Sequence, residues 1–359
     1  MFKYATLILA LLLCLPLPAD VRAAEELLSW TQCVQEAQKN HPDLISAEAS
    51  VKQSQADKKI VASDLLPQVA STVSAATAMT TSSSSGTKTR TTTDTYSYGA
   101  TGTQLLFDGG KTVNNVKAAA QDVEAARYNY RFTSTEVRLR LRTAFIALLK
   151  AQELLKITQE IHDIRRNNLV LIDLRYESGL EHRGALMTAE ANLAQAQFEI
   201  GRAQRALEVV QTQLVKEMGR EGLSDVRAEG DFTVSDAFLE KPDFQALAKD
   251  NPSLEKRIAQ KNAASFGIKS AQANFLPELS AQAGVGRKNA SWPPENDQWN
   301  AGVTLSLPIF EGGLRLAQVD KARAAYDQAR ADERSTKDGV LVALEQTWAA
   351  LQDAVAYEK

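Results

Sequence analysis

The chain has 359 residues, 24% charged and 6% aromatic, with a formal net charge of -3. That balance excludes a general nucleic-acid binder, which needs a basic face. A mixture rich in Ala, Gln, Leu, Arg and Glu with so few aromatics favours long helices over a compact aromatic core.

The N-terminus, "MFKYATLILALLLCLPLPADVRA", has Lys3 as its charged part, an apolar run from Leu7 to Leu17 and Val21-x-Ala23 as a small-residue cleavage site. Residues 1–23 read as a secretory signal peptide. The apolar run is shorter than the roughly 20 residues a spanning helix needs, and no other segment approaches that length. Leu13 stands where a lipoprotein signal would place a small residue before Cys14, so lipidation is not expected. Cleavage leaves Cys33 alone, without a partner for an intramolecular disulfide.

An internal repeat organises the rest. "NHPDLISAEASVKQSQADKKIVASDLLPQV" from Asn40 aligns with "DNPSLEKRIAQKNAASFGIKSAQANFLPEL" from Asp250, so that Pro42, Leu44, Ala49, Lys59, Leu66 and Pro67 recur 210 positions later. "YSYGATGTQLLFDGGKTVNNV" aligns with "WNAGVTLSLPIFEGGLRLAQV" at an offset of 203. Each copy reads helix, strand, loop, strand, helix, helix. Residues 24–218 form the first repeat, 219–242 a link that packs outside the helices, and 243–359 the second repeat.

Pro67 and Pro277 mark helix-to-strand junctions, because the residue before a proline leaves the helical region. The strands alternate: Leu279, Ala281, Ala283 and Val285 against Ser280, Gln282, Gly284 and Gly286, then Trp299, Ala301, Val303, Leu305 and Leu307 against Asn300, Gly302, Thr304 and Ser306. Segments of about 10 residues, apolar outward and small-polar inward, fit a transmembrane barrel. "TTSSSSGTKTRTTTD" and "RKNASWPPENDQ" read as polar, irregular loops, with Tyr96, Tyr98, Trp292 and Trp299 at interfacial positions.

Strand leads to helix through "FDGGKT", whose Gly110, Lys111 and Thr112 match the end of a phosphate-binding loop, G-x-x-x-x-G-K-[ST]. Leu105 occupies the place of its first glycine, and the second copy, "FEGGLR", keeps Gly312 and Gly313 while replacing the lysine and hydroxyl by Leu314 and Arg315. What recurs is a turn: Gly109, Gly110, Gly312 and Gly313 permit a sharp change of direction, and Asp108 or Glu311 faces the positive end of the new helix.

Thr112 to Ser178 contains no proline or glycine over 67 residues, a helix of about 100 Å. Its seam runs Val116, Ala119, Val123, Ala126, Tyr130, Thr133, Val137, Leu141, Ala144, Leu148, Ala151 and Leu155, a coiled coil with one stutter. "ESGL" turns the chain, and Leu186, Ala189, Leu193, Ala196, Ile200, Ala203, Leu207, Val210 and Leu214 form the returning seam. In the second copy Val340, Ala343, Thr347 and Leu351 read as the seam. "VRLRLR" at 137–142 is basic, but its arginines fall on the outer side of this helix and carry no anion site.

Four strands cannot close a transmembrane barrel, since unpaired edges leave backbone groups unsatisfied in lipid. Several chains must share one barrel. The paired "LLPQV" and "FLPEL", the paired "FDGG" and "FEGG", and "LRYESGL" followed by a long Ala/Gln-rich helix resemble the TolC-like outer-membrane efflux proteins across the whole mature chain. The resemblance implies an α+β membrane protein in which a long antiparallel α-helical coiled-coil barrel joins a transmembrane β-barrel. A homotrimer with four strands per protomer would complete the latter. It further implies an outer-membrane location reaching into the periplasm, partnership with a periplasmic adaptor and an inner-membrane pump, and passive export of drugs, metals or proteins, as in tripartite efflux or type I secretion. Helix-turn tips meet the adaptor in such proteins, which points to Arg175, Tyr176, Gly179 and Leu180. A plain C-cap at Gly179 is compatible with that role.

No catalytic or cofactor constellation competes: His41, His162 and His182 lack metal-ligand spacing. Two rival classes are a periplasmic coiled-coil adaptor, which the duplicated strand pairs disfavour, and a nucleotide-binding protein, which rests on Gly110 to Thr112 alone. By the repeat offset Lys359 corresponds to residue 156, so the second helical hairpin is expected to be incomplete. The acidic constriction that the resemblance implies would lie beyond Lys359.

Overall fold

The computed structural model describes residues 26–84, 87–222, 225–230 and 240–358. The expected signal peptide, Cys14 and part of the inter-repeat link lie outside the described residues. In chain order the elements are β1 (Glu26–Ser29), α1 (Trp30–Asn40), α2 (Pro42–Ser63), β2 (Gln68–Ser84), β3 (Thr87–Phe107), α3 (Lys111–Glu177), α4 (Arg183–Met218), β4 (Val226–Glu229), α5 (Phe244–Lys249), α6 (Pro252–Ala273), β5 (Glu278–Asn289), β6 (Asn296–Ser306) and α7 (Leu314–Glu358). Two compact units result: residues up to Ile45 with Thr133–Asp236, and Ser46–Phe132 with Ala237 onward.

In the first unit, α1 starts with a capping box in which Ser29 Oγ accepts from Gln32 N–H and Gln32 Oε1 accepts from Ser29 N–H at 2.8 Å. Its inner face buries Cys33 and Ala37 against Leu141, Phe145 and Leu148 of α3 and Leu214 and Met218 of α4. Each fully buried aliphatic side chain of this kind contributes about 1.5–3 kcal/mol. Trp30 and Phe145 meet edge to face at 5.7 Å.

The link was expected outside the helices, but its residues 226–229 are built into this core. β4 pairs in parallel with β1 from Glu26↔Val226 to Ser29↔Glu229. Val226 and Ala228 are buried. Gln152 accepts from Ala228 N–H at 3.0 Å and donates to its carbonyl at 3.2 Å, while Gln211 donates to Val226 O at 2.9 Å. Buried backbone groups need such partners.

The repeat is visible in detail. Pro42 and Pro252 each open a helix, and the residues before them cap it alike: His41 Nδ1 accepts from Asp43 N–H at 3.1 Å, Asn251 Oδ1 from Ser253 N–H at 2.9 Å. Both helices end at the "LP" junctions, so Pro67 and Pro277 stand immediately before β2 and β5. The strands form one antiparallel sheet in the order β2-β3-β5-β6.

Residues 80–94, expected as an irregular loop, are largely strand: β2 has 17 residues and β3 has 21, paired from Gln68↔Thr103 to Ser84↔Thr87. Threonine is β-branched and suits a pleated surface. Cross-strand hydroxyls satisfy one another, with Ser74 and Ser97 Oγ atoms 2.8 Å apart and Thr77 donating to Asp94 at 2.7 Å. "RKNASWPPENDQ" shortens likewise, because β5 runs to Asn289 and β6 begins at Asn296. β6 ends at Ser306, so Leu307 follows it.

None of the expected seam residues of α3 and α4 is exposed, and Val123, Val137, Leu141, Ala144, Leu148, Ala189, Ala196, Ala203 and Leu214 are buried. On α7 the expected seam holds in part, since Val340 and Leu351 are half-buried. Ala343 and Thr347 are exposed, and Leu341, Leu344 and Trp348 are half-buried instead. α7 packs on both α5 and α6, with Lys241–Glu345 at 2.9 Å and Lys261–Glu333 at 2.7 Å, and this broader contact covers residues beyond a two-helix seam.

Candidate functional site in the two-faced sheet and the helix turn

Pairing register assigns every strand residue to a face, because directly opposed residues share one. Leu279↔Leu305, Ala281↔Val303, Ala283↔Ala301 and Val285↔Trp299 lie together. Through Ala100↔Val285 and Tyr98↔Arg287 the same face continues onto β3, and through Val69↔Gly102 and Val73↔Tyr98 onto β2. This face is open: Val73 is 72% exposed, Val303 65% and Trp299 81%. At one end Trp292 sits 6.4 Å from both Tyr96 and Tyr98, beside the Arg287–Asp297 pair at 2.7 Å. The reverse face carries Ser280↔Thr304, Gln282↔Gly302 and Gly284↔Asn300. The faces match the alternation read from sequence.

Glycine is obligatory where strands approach closely. A Cβ on Gly99 would lie 2.7 Å from Val285 O, and one on Gly286 would lie 2.6 Å from Tyr98 O.

At the strand-to-helix turns Gly109, Gly110, Gly312 and Gly313 all have positive φ, +68°, +82°, +60° and +86°, as the repeat predicts. Only Gly109 is also enclosed, its missing Cβ falling 2.7 Å from Leu276 Cβ. The first turn is closed by its own acid: Asp108 accepts from Gly110 N–H at 3.0 Å and Thr112 N–H at 2.6 Å, and its carbonyl takes Lys111 N–H at 3.2 Å. Amides that a phosphate would need are thus occupied by a carboxylate. In the second turn Glu311 pairs with Arg315 at 2.8 Å. Both turns border a cleft of about 240 Å³ lined by Asp108, Lys111, Glu278, Glu311 and Arg315 among others.

The turn after α3 is a Schellman cap. Gly179, at φ +74°, donates to Tyr176 O at 2.9 Å and Leu180 N–H to Arg175 O at 2.8 Å. Leu180 is 73% exposed, Arg175 and Tyr176 are exposed too, and His182 caps α4 by accepting from Ala185 N–H at 2.9 Å. The four residues picked from sequence therefore share one turn.

Sequence reasoning missed the charged node of the first unit. Glu217 is buried among His41 Nε2 at 3.6 Å, Arg140 Nε at 3.2 Å and Lys216 Nζ at 3.3 Å. Burial pushes its pKa up, but the hydrogen bonds from Arg140 and Lys216 outweigh that and hold it below the ordinary glutamate value. Arg220 bridges Glu26 at 2.6 Å and Glu36 at 2.7 Å, and its pKa is raised by those hydrogen bonds. Cys33 lies in the adjoining core, where burial, then the charge of Glu36, pushes its thiol up to about 11. These partners come from distant segments, and no local pattern announces them.

A protein-family model described as outer membrane efflux protein matches residues 33–220 and 244–357. The chain is 24% identical over 356 residues to the outer membrane efflux protein BepC of Brucella suis biovar 1 (strain 1330), covering 91% of this chain and 70% of that one. It is 28% identical over 214 residues to the alkaline protease secretion protein AprF of Pseudomonas aeruginosa, covering 56% of this chain and 44% of that one. Among solved structures, a membrane protein from Pseudomonas aeruginosa superposes with TM-score 0.76 at 20% identity, covering 92% and 78% of the two chains. The MtrE outer membrane channel of Neisseria gonorrhoeae in its open state does so with TM-score 0.72 at 18% identity, covering 92% and 74%.

Proposed function

The chain belongs to the outer membrane efflux protein family, and from that membership we propose that it is the outer-membrane duct of a tripartite efflux or type I secretion system. It works as a homotrimer whose protomers each supply four strands to one β-barrel, from which a coiled-coil barrel of long helices extends into the periplasm. The family is one of transport proteins rather than enzymes.

One observation carries this reading. The four-stranded sheet ends in two edge strands, β2 and β6, whose outer sides have no partner among the described residues, while one of its faces is apolar and open. In lipid an open edge is untenable, so the edges must meet edges of further copies. The exposed apolar face, rimmed by Tyr96, Tyr98 and Trp292, then suits hydrocarbon with an aromatic girdle. The hydroxyl, amide and glycine face lines the lumen.

Residues 24–218 and 243–359 act as the two structural repeats and 219–242 as their link. Pro67, Pro277 and the four positive-φ glycines set the bends between barrel and helices. The turn at Arg175, Tyr176, Gly179 and Leu180 is the contact for the periplasmic adaptor, which couples the duct to the inner-membrane pump. Its support is exposure: at Gly179 an added Cβ meets nothing within 4 Å, so a docking partner has free access.

Outer-membrane fractionation, heat-dependent trimer migration and channel recording test the duct. A soluble periplasmic monomer would refute it. Photocrosslinking from Leu180 tests the tip, and Gly179→Val should weaken adaptor capture while leaving the heat-labile oligomer intact; undiminished capture would count against that assignment.

A further inference from the structure

The small-polar face of the sheet is nearly free of charge. Register places on it the even-numbered residues of β2, β5 and β6 and, up to Leu105, the odd-numbered residues of β3. Among the described residues of these strands that set contains two ionisable side chains, Glu278 and Lys288. The other charged strand residues, including Arg90, Asp94, Arg287 and Asp297, fall on the opposite face.

The two charges are not equivalent. Glu278 stands at the helix end of β5, in the cleft that also holds Lys111 and Arg315, so cations lie close to it. Lys288 stands near the far end of β5, directly opposite Ser97 on β3 and Asn296 on β6. It is exposed, and among the described strand residues the only carboxylate on its face is Glu278, at the opposite end of β5. Its neighbour in sequence, Arg287, points the other way and is paired with Asp297. Gly286 and Gly284 precede it on the same face, leaving the surface low around it.

We propose that Lys288 is a specificity-determining residue of the barrel lumen, where its copies form a ring of uncompensated positive charge that favours anionic solutes at the outer mouth. This rests on the trimeric-channel reading above. A fixed charge in a confined pore raises the local concentration of counter-ions. With Ser, Thr, Asn, Gln, Gly and Ala making up nearly all of the remaining lining, no other strand residue on this face offsets that charge at its level. The cargo class it suits is negatively charged small molecules or acidic polypeptide segments; cationic solutes pass this level against the field.

The test is reversal potential under a potassium chloride gradient, with the full chain in planar bilayers. Lys288→Gln should shift the permeability ratio toward potassium by about threefold near 10 mM salt, where the screening length is about 30 Å, and hardly at all near 1 M, where it is about 3 Å. Lys288→Glu should shift it further, and Arg287→Gln should leave it in place. An unchanged ratio in both Lys288 variants overturns the proposal, as does an equal shift with Arg287→Gln. Failure of the wild-type chain to form pores would instead overturn the channel reading, and this inference with it. Should the Lys288 variants not insert, Gln298→Cys, on the same face, supplies the second measurement. Anionic thiosulfonates should label it about threefold faster than cationic ones near 10 mM salt, and equal rates overturn the proposal.

Discussion

Replacing Gly219 by alanine probes how tightly the end of α4 is held against the α1–α2 junction, and Gly179→Ala is its control. Both glycines close a Schellman turn, at φ +76° and +74°. Each alanine variant therefore bears the same backbone cost, about 1–2 kcal/mol for an L-residue in the left-handed region. What the new methyl meets differs. At Gly179 nothing lies within 4 Å; at Gly219 the Cβ would sit 2.5 Å from Asn40 O, 2.6 Å from Asn40 C and 2.8 Å from His41 Cα. Those atoms are main chain, so relief requires shifting the junction, which disturbs the His41–Glu217 approach of 3.6 Å. Overpacking of this kind costs about 1–3 kcal/mol. The expected totals are about 2–5 kcal/mol for Gly219→Ala and about 1–2 kcal/mol for Gly179→Ala. Hydrogen-exchange mass spectrometry on detergent-purified protein reads the difference. In Gly219→Ala, peptides covering 30–45 and 210–220 should lose protection; in Gly179→Ala they should not. Equal losses, or full protection in Gly219→Ala, would refute the argument from packing.

Arginine at Val303 or Leu305 should impair bilayer insertion by about 2–4 kcal/mol near the midplane, whereas Thr304→Arg should be tolerated better; equal defects in a lipid-refolding titration would show the faces to be reversed. Glu217 has its pKa held below the ordinary glutamate value, about 4.3, so its stabilisation is complete above that pH and lost as pH falls through the lower folded value. Melting of the first unit should accordingly hold steady from neutral pH to about 5 and decline below about 4.5, with Glu217→Gln less stable at neutral pH but flatter in acid; parallel curves would contradict this. Cys33 is fully buried with its thiol pushed up to about 11, and thiolate is the reactive form. Maleimide at neutral pH should label it only after denaturant is added, and rapid native labelling would be incompatible with the core described.

Much of this protein was legible because its signals are local. Period-two alternation assigned Val303 and Thr304 to opposite faces, three-four spacing located the seam of Leu141, Ala144 and Leu148, and the twin "GG" pairs announced turns that proved to need positive φ. Each depends on residues a few positions apart, where backbone geometry alone relates them. The duplication added a further check, since Lys111 and Thr112 had no counterparts in the second copy, and the structure gives their amides to Asp108. Tertiary structure decided what depends on distant partners. Nothing within "VRAE" says that it pairs with "ELLS" some 200 positions earlier, because four residues are too few for a period and parallel pairing has no turn to signal it. The Thr-rich stretch at 80–94 looks polar enough for a loop until the β2–β3 ladder pairs its backbone. Arg220 with Glu26 and Glu36, and Glu217 with His41 and Arg140, are single charges among many in sequence. Only the packing of α1, α3 and α4 brings them together and buries Glu217 and His41, and the desolvation of Glu217 makes its pairing a structural requirement.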